Sequence, residues 1–110
     1  TKPLTINDLI SQAGQTAKET GFWEKPWNDG EKLALMHSEI SEALEALRTP
    51  ELPLITSVVG KPEGAAIELA DVIIRIADWC AYYGVDLEAA LRLKLAYNKT
   101  RSFKHGGKAF

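Results

Sequence analysis

Apolar residues recur every three to four positions in four stretches of the chain, and no stretch alternates as a strand would. Gly21, Pro50 and Gly84 stand where three stretches end, and Asp86 precedes the fourth, as is typical of helix termini. The pattern predicts helices over about residues 5–20, 31–48, 63–83 and 86–101. Residues 50–63 hold three of the five prolines, which predicts a loop or short irregular arm without a hairpin.

Helices account for all of these patterns, so the sequence predicts an all-α fold, a four-helix bundle formed by one domain over residues 1–110. A chain of 110 residues buries only a modest core. Its share of hydrophobic residues, 45%, favours association with further copies. Residues 102–110 are glycine-rich and basic, and we expect a flexible tail there.

Composition limits the classes of partner. A net charge of −2 and a pI near 5.7 argue against a general nucleic-acid binder and against attraction to anionic membranes. The single cysteine, Cys80, excludes an intrachain disulfide framework, and the lack of a Cys/His cluster argues against zinc. Neither a signal peptide nor an uninterrupted apolar span is recognisable, so we expect a cytoplasmic protein that does not bind membranes.

Two pairs of acidic residues are the main chemical signal. Glu39/Glu42 and Glu68/Asp71 are each three residues apart, which places both carboxylates of a pair on one face of a helix. The second pair lies in a helix that is otherwise almost entirely apolar, where charge is costly unless it is compensated. A rival interpretation is an ordinary solvated face, in which Arg75 pairs with acids of its own helix.

The first pair, Glu39 and Glu42, is bracketed by apolar residues one turn above and below, which predicts partial burial. If the two pairs converge, their oxygen-only ligands suit Mg²⁺, with Mn²⁺ as a substitute. A di-iron carboxylate bundle would need Glu-x-x-His. Neither His37 nor His105 has a glutamate three residues before it, so that alternative fails.

The last predicted helix carries Lys94, Asn98 and Arg101 on one face, at spacings of four and three. Cations beside a metal-loaded acidic site are suited to the oxygens of a polyphosphate. Basic residues near a helix C-terminus are also favoured by the helix dipole, so this signal is weak alone.

Two tryptophans, Trp23 and Trp27, lie in the polar loop over residues 21–30. Indole is a good platform for a nucleobase. Trp23 is the stronger candidate, because packing against Pro26 is a fair rival explanation for Trp27. Trp79, on the apolar third helix, is expected in the core.

Three motifs in order complete the pattern: E-x-x-E at 39–42, E-x-x-D at 68–71 and K-x-x-x-N-x-x-R at 94–101. With them the chain resembles the MazG-like, all-α nucleoside triphosphate pyrophosphohydrolases, over most of its length. Larger members often have a double glutamate in the first motif. Ser38 stands there in this chain, as in the short single-domain branch, which leaves the number of metal ions open.

The resemblance implies hydrolysis of a (d)NTP between the α- and β-phosphates to a (d)NMP and pyrophosphate, in a homodimer or dimer of dimers. The expected metal ligands are Glu39, Glu42, Glu68 and Asp71. Glu39 or Glu42 is the expected general base. The expected substrate-binding residues are Lys94, Asn98, Arg101, Trp23 and Trp27. The alternative is a non-catalytic helical dimer that binds nucleotides or a protein partner as a sensor or adaptor.

Overall fold

The computed structural model describes residues 2–49, 52–58 and 60–101. Within them the chain forms four helices and one short hairpin, so the all-α prediction is confirmed at the level of fold class. The elements are α1 (Ile6–Glu19), α2 (Asp29–Leu47), β1 (Thr56–Val58), β2 (Lys61–Glu63), α3 (Ala65–Tyr83) and α4 (Leu87–Thr100). The predicted flexible tail lies outside the described residues.

Local capping fixes three of the helix starts. The side chains of Thr5, Asn28 and Asp86 each accept a hydrogen bond from the backbone N–H three residues later. Such a cap contributes about 1 kcal/mol. Since Asn28 is the cap, α2 begins two residues earlier than the predicted residue 31. Gly84 ends α3 with φ +67°, a left-handed conformation that suits glycine.

The hairpin corrects the prediction of an irregular arm. Residues Thr56–Val58 pair antiparallel with Lys61–Glu63, and the connection between the strands includes Gly60 at φ +80°. Three-residue strands are too short to show an alternating pattern in the sequence. Pro62 is tolerated because each strand of a two-stranded sheet has a free edge.

The third helix occupies the centre of the fold, with α2 and α1 both packed against it and α4 packed against α1. Its neighbours approach closely because the contact residues are small. A Cβ added to Gly14 on α1 would lie 2.8 Å from the Cβ of Ala81. The buried hydrophobic residues are Ala13, Ala17, Ala43, Ala65, Ala77 and Cys80.

The segment before the hairpin holds the start of α3. The N–H of Ala66 donates to the carbonyl oxygen of Leu54 at 3.1 Å. Gly64 has φ +117°, and a Cβ at this position would collide with the same Leu54 oxygen. This contact fixes the first turn of α3, which carries Glu68.

Many large apolar side chains remain exposed on the helices. They include Leu33, Ile40, Leu44, Leu47, Leu69, Ile73, Leu93, Leu95 and Tyr97. Exposed apolar surface spread over several helices is typical of a protein-association surface. In the described part of the chain, no helix combines the length and the apolar character that a membrane crossing requires.

Candidate metal and ligand site

Carboxylates from two helices converge where α2 packs against α3. Ligand oxygens of Glu39, Glu42 and Glu68 all lie within 4.8 Å of one another. We call these three residues the acidic cluster. The predicted convergence of the two acid pairs is thus present for three of the four acids. Asp71, one turn after Glu68, is exposed and lines the adjoining cavity instead.

Arg75 on α3 bonds to the carboxylate of Glu39, a residue of the cluster that lies on α2. Its Nη2 and Nε donate to Oε1 of Glu39 at 2.9 and 3.2 Å. The Glu39 side chain is only 12% exposed, so its charge needs this partner. The rival interpretation paired Arg75 with acids of its own helix. Among the described residues, however, its ion pair is with Glu39 on α2.

The electrostatics of the cluster follow from three acids sharing one cation. Burial raises the pKa of Glu68 to about 7, and hydrogen bonding with Glu39 and Glu42 and repulsion from them act in the same direction. Burial also raises the pKa of Glu39, but hydrogen bonds from Arg75, Glu42 and Glu68 outweigh it and hold that pKa below its ordinary value. The single guanidinium of Arg75 cannot balance three ionised acids, so the cluster carries excess negative charge once Glu68 loses its proton.

This donor set fits a hard divalent cation. Three carboxylates with no nitrogen or sulfur donor among them suit Mg²⁺ or Mn²⁺ better than zinc or copper. A divalent cation would favour the ionised form of Glu68 and compensate the excess negative charge.

A cavity of about 420 Å³ adjoins the cluster, large enough for a small ligand. Arg75 connects the two, because it lines the cavity and bonds to Glu39. The lining residues are Leu9, Gln12, Ala13, Thr16, Ala17, Phe22, Trp27, Lys32, Met36, Asp71, Ile74, Arg75, Asp78 and Trp79. The walls therefore combine aromatic faces with a few polar and charged groups, as in ligand sites generally.

The two loop tryptophans are placed differently. Trp27 lines the cavity beside the acidic cluster, whereas Trp23 lines a separate cavity between α1 and the end of α3. The indole Nε1 of Trp23 donates to Oδ1 of Asp78 at 2.8 Å, which holds the ring against α3. The sequence favoured Trp23 over Trp27 as the base platform, and of the two rings Trp27 is the one that lines the cavity beside the acidic cluster. Trp79, expected in the core, forms part of the cavity wall.

Asp29 was missed by the sequence analysis. Its Oδ1 accepts hydrogen bonds from Trp27 Nε1 at 2.8 Å, Trp79 Nε1 at 3.1 Å and the Tyr83 hydroxyl at 2.9 Å. The bonds from Trp27, Tyr83 and Trp79 lower the pKa of Asp29. The sequence gives no signal for this network, because Trp79 and Tyr83 are 50 and 54 residues away. Gln12, Thr16 and Lys32 are further cavity residues that no motif had indicated.

The predicted basic residues of α4 lie elsewhere in the single chain. Lys94, Asn98 and Arg101 are exposed, and none of them lines the described cavity. The Nζ of Lys94 lies 5.1 Å from the ring centroid of Tyr97 on its own helix. Since α4 packs against α1, one chain does not bring these groups to the acidic cluster.

Comparison of the chain with protein-family models, with curated proteins and with solved structures gave no match.

Proposed function

We propose that this chain is a MazG-like, Mg²⁺-dependent nucleotide pyrophosphohydrolase that converts a (d)NTP to a (d)NMP and pyrophosphate. One observation carries the proposal: carboxylates of Glu39, Glu42 and Glu68 meet within 4.8 Å beside an aromatic-walled cavity. A triphosphate needs a metal at its phosphates and a planar pocket for its base, and the two parts adjoin here.

The metal ligands in this proposal are the acidic cluster together with Asp71. Asp71 follows Glu68 by one turn of α3 and lines the adjoining cavity, so it is the acid of the second pair that faces a ligand in that cavity. When bound, Mg²⁺ would neutralise phosphate oxygens and lower the pKa of a coordinated water.

Glu39 and Glu42 are the candidate general bases. Glu39 is committed to Arg75, whereas Glu42 is exposed and lies at the solvent side of the cluster. Glu42 is therefore the better placed of the two to accept a proton from water. The water oxygen bonds to the α-phosphorus, the bond to the bridging oxygen breaks, and pyrophosphate leaves with that electron pair.

Substrate contacts are divided between the cavity and α4. Trp27 is the base platform that we favour. Trp23 would act indirectly, because its indole donates a hydrogen bond to Asp78, which lines the cavity. Lys94, Asn98 and Arg101 would hold phosphates or the sugar only if a second copy presented its α4 to this site. We therefore propose a homodimer or dimer of dimers, which the exposed leucines of α2 and α4 support.

The test measures pyrophosphate release from a panel of NTPs and dNTPs with Mg²⁺, using ³¹P NMR to distinguish pyrophosphate from orthophosphate. We expect a (d)NMP and pyrophosphate in equal amounts and no reaction with EDTA. Glu42→Gln should abolish release, whereas Glu45→Gln, an exposed change on the same helix, should not. A folded wild-type protein that is silent over the whole panel would reject the hydrolase.

A binding module without turnover, acting as a sensor or adaptor, is the second candidate. It is favoured by one observation: the Arg75 guanidinium bonded to Glu39 partly neutralises the cluster without a metal. That candidate predicts nucleotide binding that is independent of Mg²⁺ and unaccompanied by pyrophosphate release.

A further inference from the structure

Lys32 lines the cavity that adjoins the acidic cluster, at the end of the first turn of α2. Lys32 and Arg75 are the cationic residues among the lining side chains of that cavity. Arg75 is bonded to Glu39. Among residues 2–49, 52–58 and 60–101, by contrast, no carboxylate forms an ion pair with Lys32. A ligand can therefore use the charge of Lys32 without breaking an ion pair.

The ammonium of Lys32 rests on an aromatic face. Its Nζ lies 4.6 Å from the ring centroid of Trp27 and 5.7 Å from that of Phe22. Tyr82 is stacked on Trp27 at 3.7 Å with an interplanar angle of 6°. Because Tyr82 covers one face of the indole, Lys32 occupies the other. A cation–π contact at a partly exposed site is weak, so the ammonium can leave.

The position of Lys32 on α2 aligns it with the acidic cluster. Lys32 and Glu39 are seven residues apart, two helical turns on one face and about 10 Å along the axis. Met36 lies between them and also lines the cavity. A ligand extended along this face would therefore reach from Lys32 and Trp27 towards the cluster.

We propose that Lys32 is a phosphate-binding residue that exchanges places with the ligand's planar ring. In the free protein its ammonium covers Trp27. When a nucleotide enters, the base stacks on the vacated indole face, and the ammonium pairs with a phosphate oxygen of the same molecule. This inference rests on the nucleotide ligand of the proposed function, but it does not require turnover.

Lys18 provides a matched control. Its Nζ lies 5.2 Å from the ring centroid of Trp23, so it makes the same type of contact as Lys32. It lines the separate cavity, away from the acidic cluster. Replacing Lys18 therefore measures the cost of losing a lysine from an indole face where no ligand is proposed.

The experiment measures binding to the full chain by calorimetry with Mg²⁺. The probes are α,β-imido analogues of the four dNTPs, inorganic tripolyphosphate and the four deoxynucleosides. We expect Lys32→Ala to weaken the binding of the imido analogues and of tripolyphosphate by about tenfold or more, which is the scale of a lost charge-assisted hydrogen bond. Deoxynucleoside affinity should stay equal or rise, because no ammonium has to be displaced. Lys32→Arg should retain most phosphate affinity, and Lys18→Ala should change none of these values.

A second measurement reports the position of the Lys32 side chain by NMR. In free protein the ring current of Trp27 should shift the Hε protons of Lys32 upfield in the NMR spectrum, and Trp27→Leu should remove that shift. Saturation with an imido analogue should also remove it, as the ammonium moves to the phosphates. Lys18 protons should not respond.

The inference is overturned if Lys32→Ala binds tripolyphosphate and the imido analogues as wild type does. It is also overturned if Lys32 stays shielded at saturation, or if no phosphate probe binds the wild type. Failure of the proposed hydrolase function would give a different result. The analogues would bind, and Lys32→Ala would weaken their binding, but no substrate would release pyrophosphate. If substrates are cleaved equally well by wild type and Lys32→Ala, the lysine assignment fails and the hydrolase stands.

Discussion

Arg75 on α3 donates two hydrogen bonds to one carboxylate oxygen of Glu39 on α2, the shorter at 2.9 Å. The pair joins the two helices and supplies positive charge to the acidic cluster in the absence of a metal. Arg75 is also part of the cavity wall. A cation bound at Glu39 must therefore share that carboxylate with the guanidinium.

Arg75→Gln should make the protein without metal less stable and more responsive to metal. Removing the guanidinium leaves Glu39, which is 12% exposed, without its partner, at a cost of about 1 kcal/mol or more after solvent screening. Added Mg²⁺ should restore stability to a greater extent than in the wild type. Urea unfolding with EDTA and with Mg²⁺, above neutral pH, measures both effects. Arg92→Gln, which breaks an exposed pair with Glu88, is the control and should behave as wild type.

The raised pKa of Glu68 predicts how stability without metal depends on pH. The folded state binds the Glu68 proton more tightly than the unfolded state, whose pKa is near the ordinary value of 4.5. The stabilising effect is therefore complete below about pH 4.5 and is lost as the pH rises through about 7. Unfolding free energies with EDTA across this range should fall with pH in wild type. Glu68→Gln should remove this part of the pH dependence, whereas the exposed Glu63→Gln should keep it. Equal slopes in wild type and Glu68→Gln would contradict the assignment.

Asp71 should be required for turnover and dispensable for folding. It is exposed, and the described side chains offer it no hydrogen bond or ion pair. Asp71→Ala should lower turnover by at least about two orders of magnitude, as expected for a lost electrostatic element. Metal-free stability should be equal or higher, because an acid near the cluster is removed. Steady-state pyrophosphate release measures the effect on turnover, and thermal unfolding measures the effect on metal-free stability. Normal specific activity in the variant would exclude Asp71 as a ligand.

Glu39→Ala should lower turnover by a similar factor of about two orders of magnitude, but for this residue the Arg75 pair changes the stability expectation. The substitution leaves a partly buried guanidinium without its carboxylate, so metal-free stability should fall. Thermal unfolding of Glu39→Ala and Asp71→Ala side by side tests this difference. If both variants are stabilised to the same extent, the ion pair has no net effect in solution.

Asp29 should act by positioning Trp27 rather than by contacting the substrate. Its carboxylate accepts from the indole nitrogens of Trp27 and Trp79 and from Tyr83. Asp29→Asn removes the charge that strengthens these bonds, so the aromatic rings should become less ordered. We expect weaker near-ultraviolet circular dichroism and a several-fold higher KM with a smaller change in kcat. Asp86→Asn, which keeps a good helix cap, is the control. An unchanged KM would limit Asp29 to a structural role.

Much of this protein is determined by its sequence alone, because helices depend on residues that are close in the chain. Apolar periodicity and the caps Asn28 and Asp86 define the helices, and i, i+3 spacing places Glu39 beside Glu42 whatever the rest of the fold does. The tertiary structure determines which residues of other helices come into contact with these local patterns. Packing of α2 on α3 brings Glu68 to the first pair and directs Arg75 across to Glu39 rather than along its own helix.

The same distinction explains which features the sequence did not reveal. The hairpin depends on pairing between two very short strands, and the choice of Trp27 over Trp23 as cavity wall depends on which helix each ring packs against. Asp29 gains its role from aromatic donors at the far end of α3. Contacts between residues fifty positions apart leave no periodic signal, because only the packing of whole helices determines which side chains come within hydrogen-bonding distance.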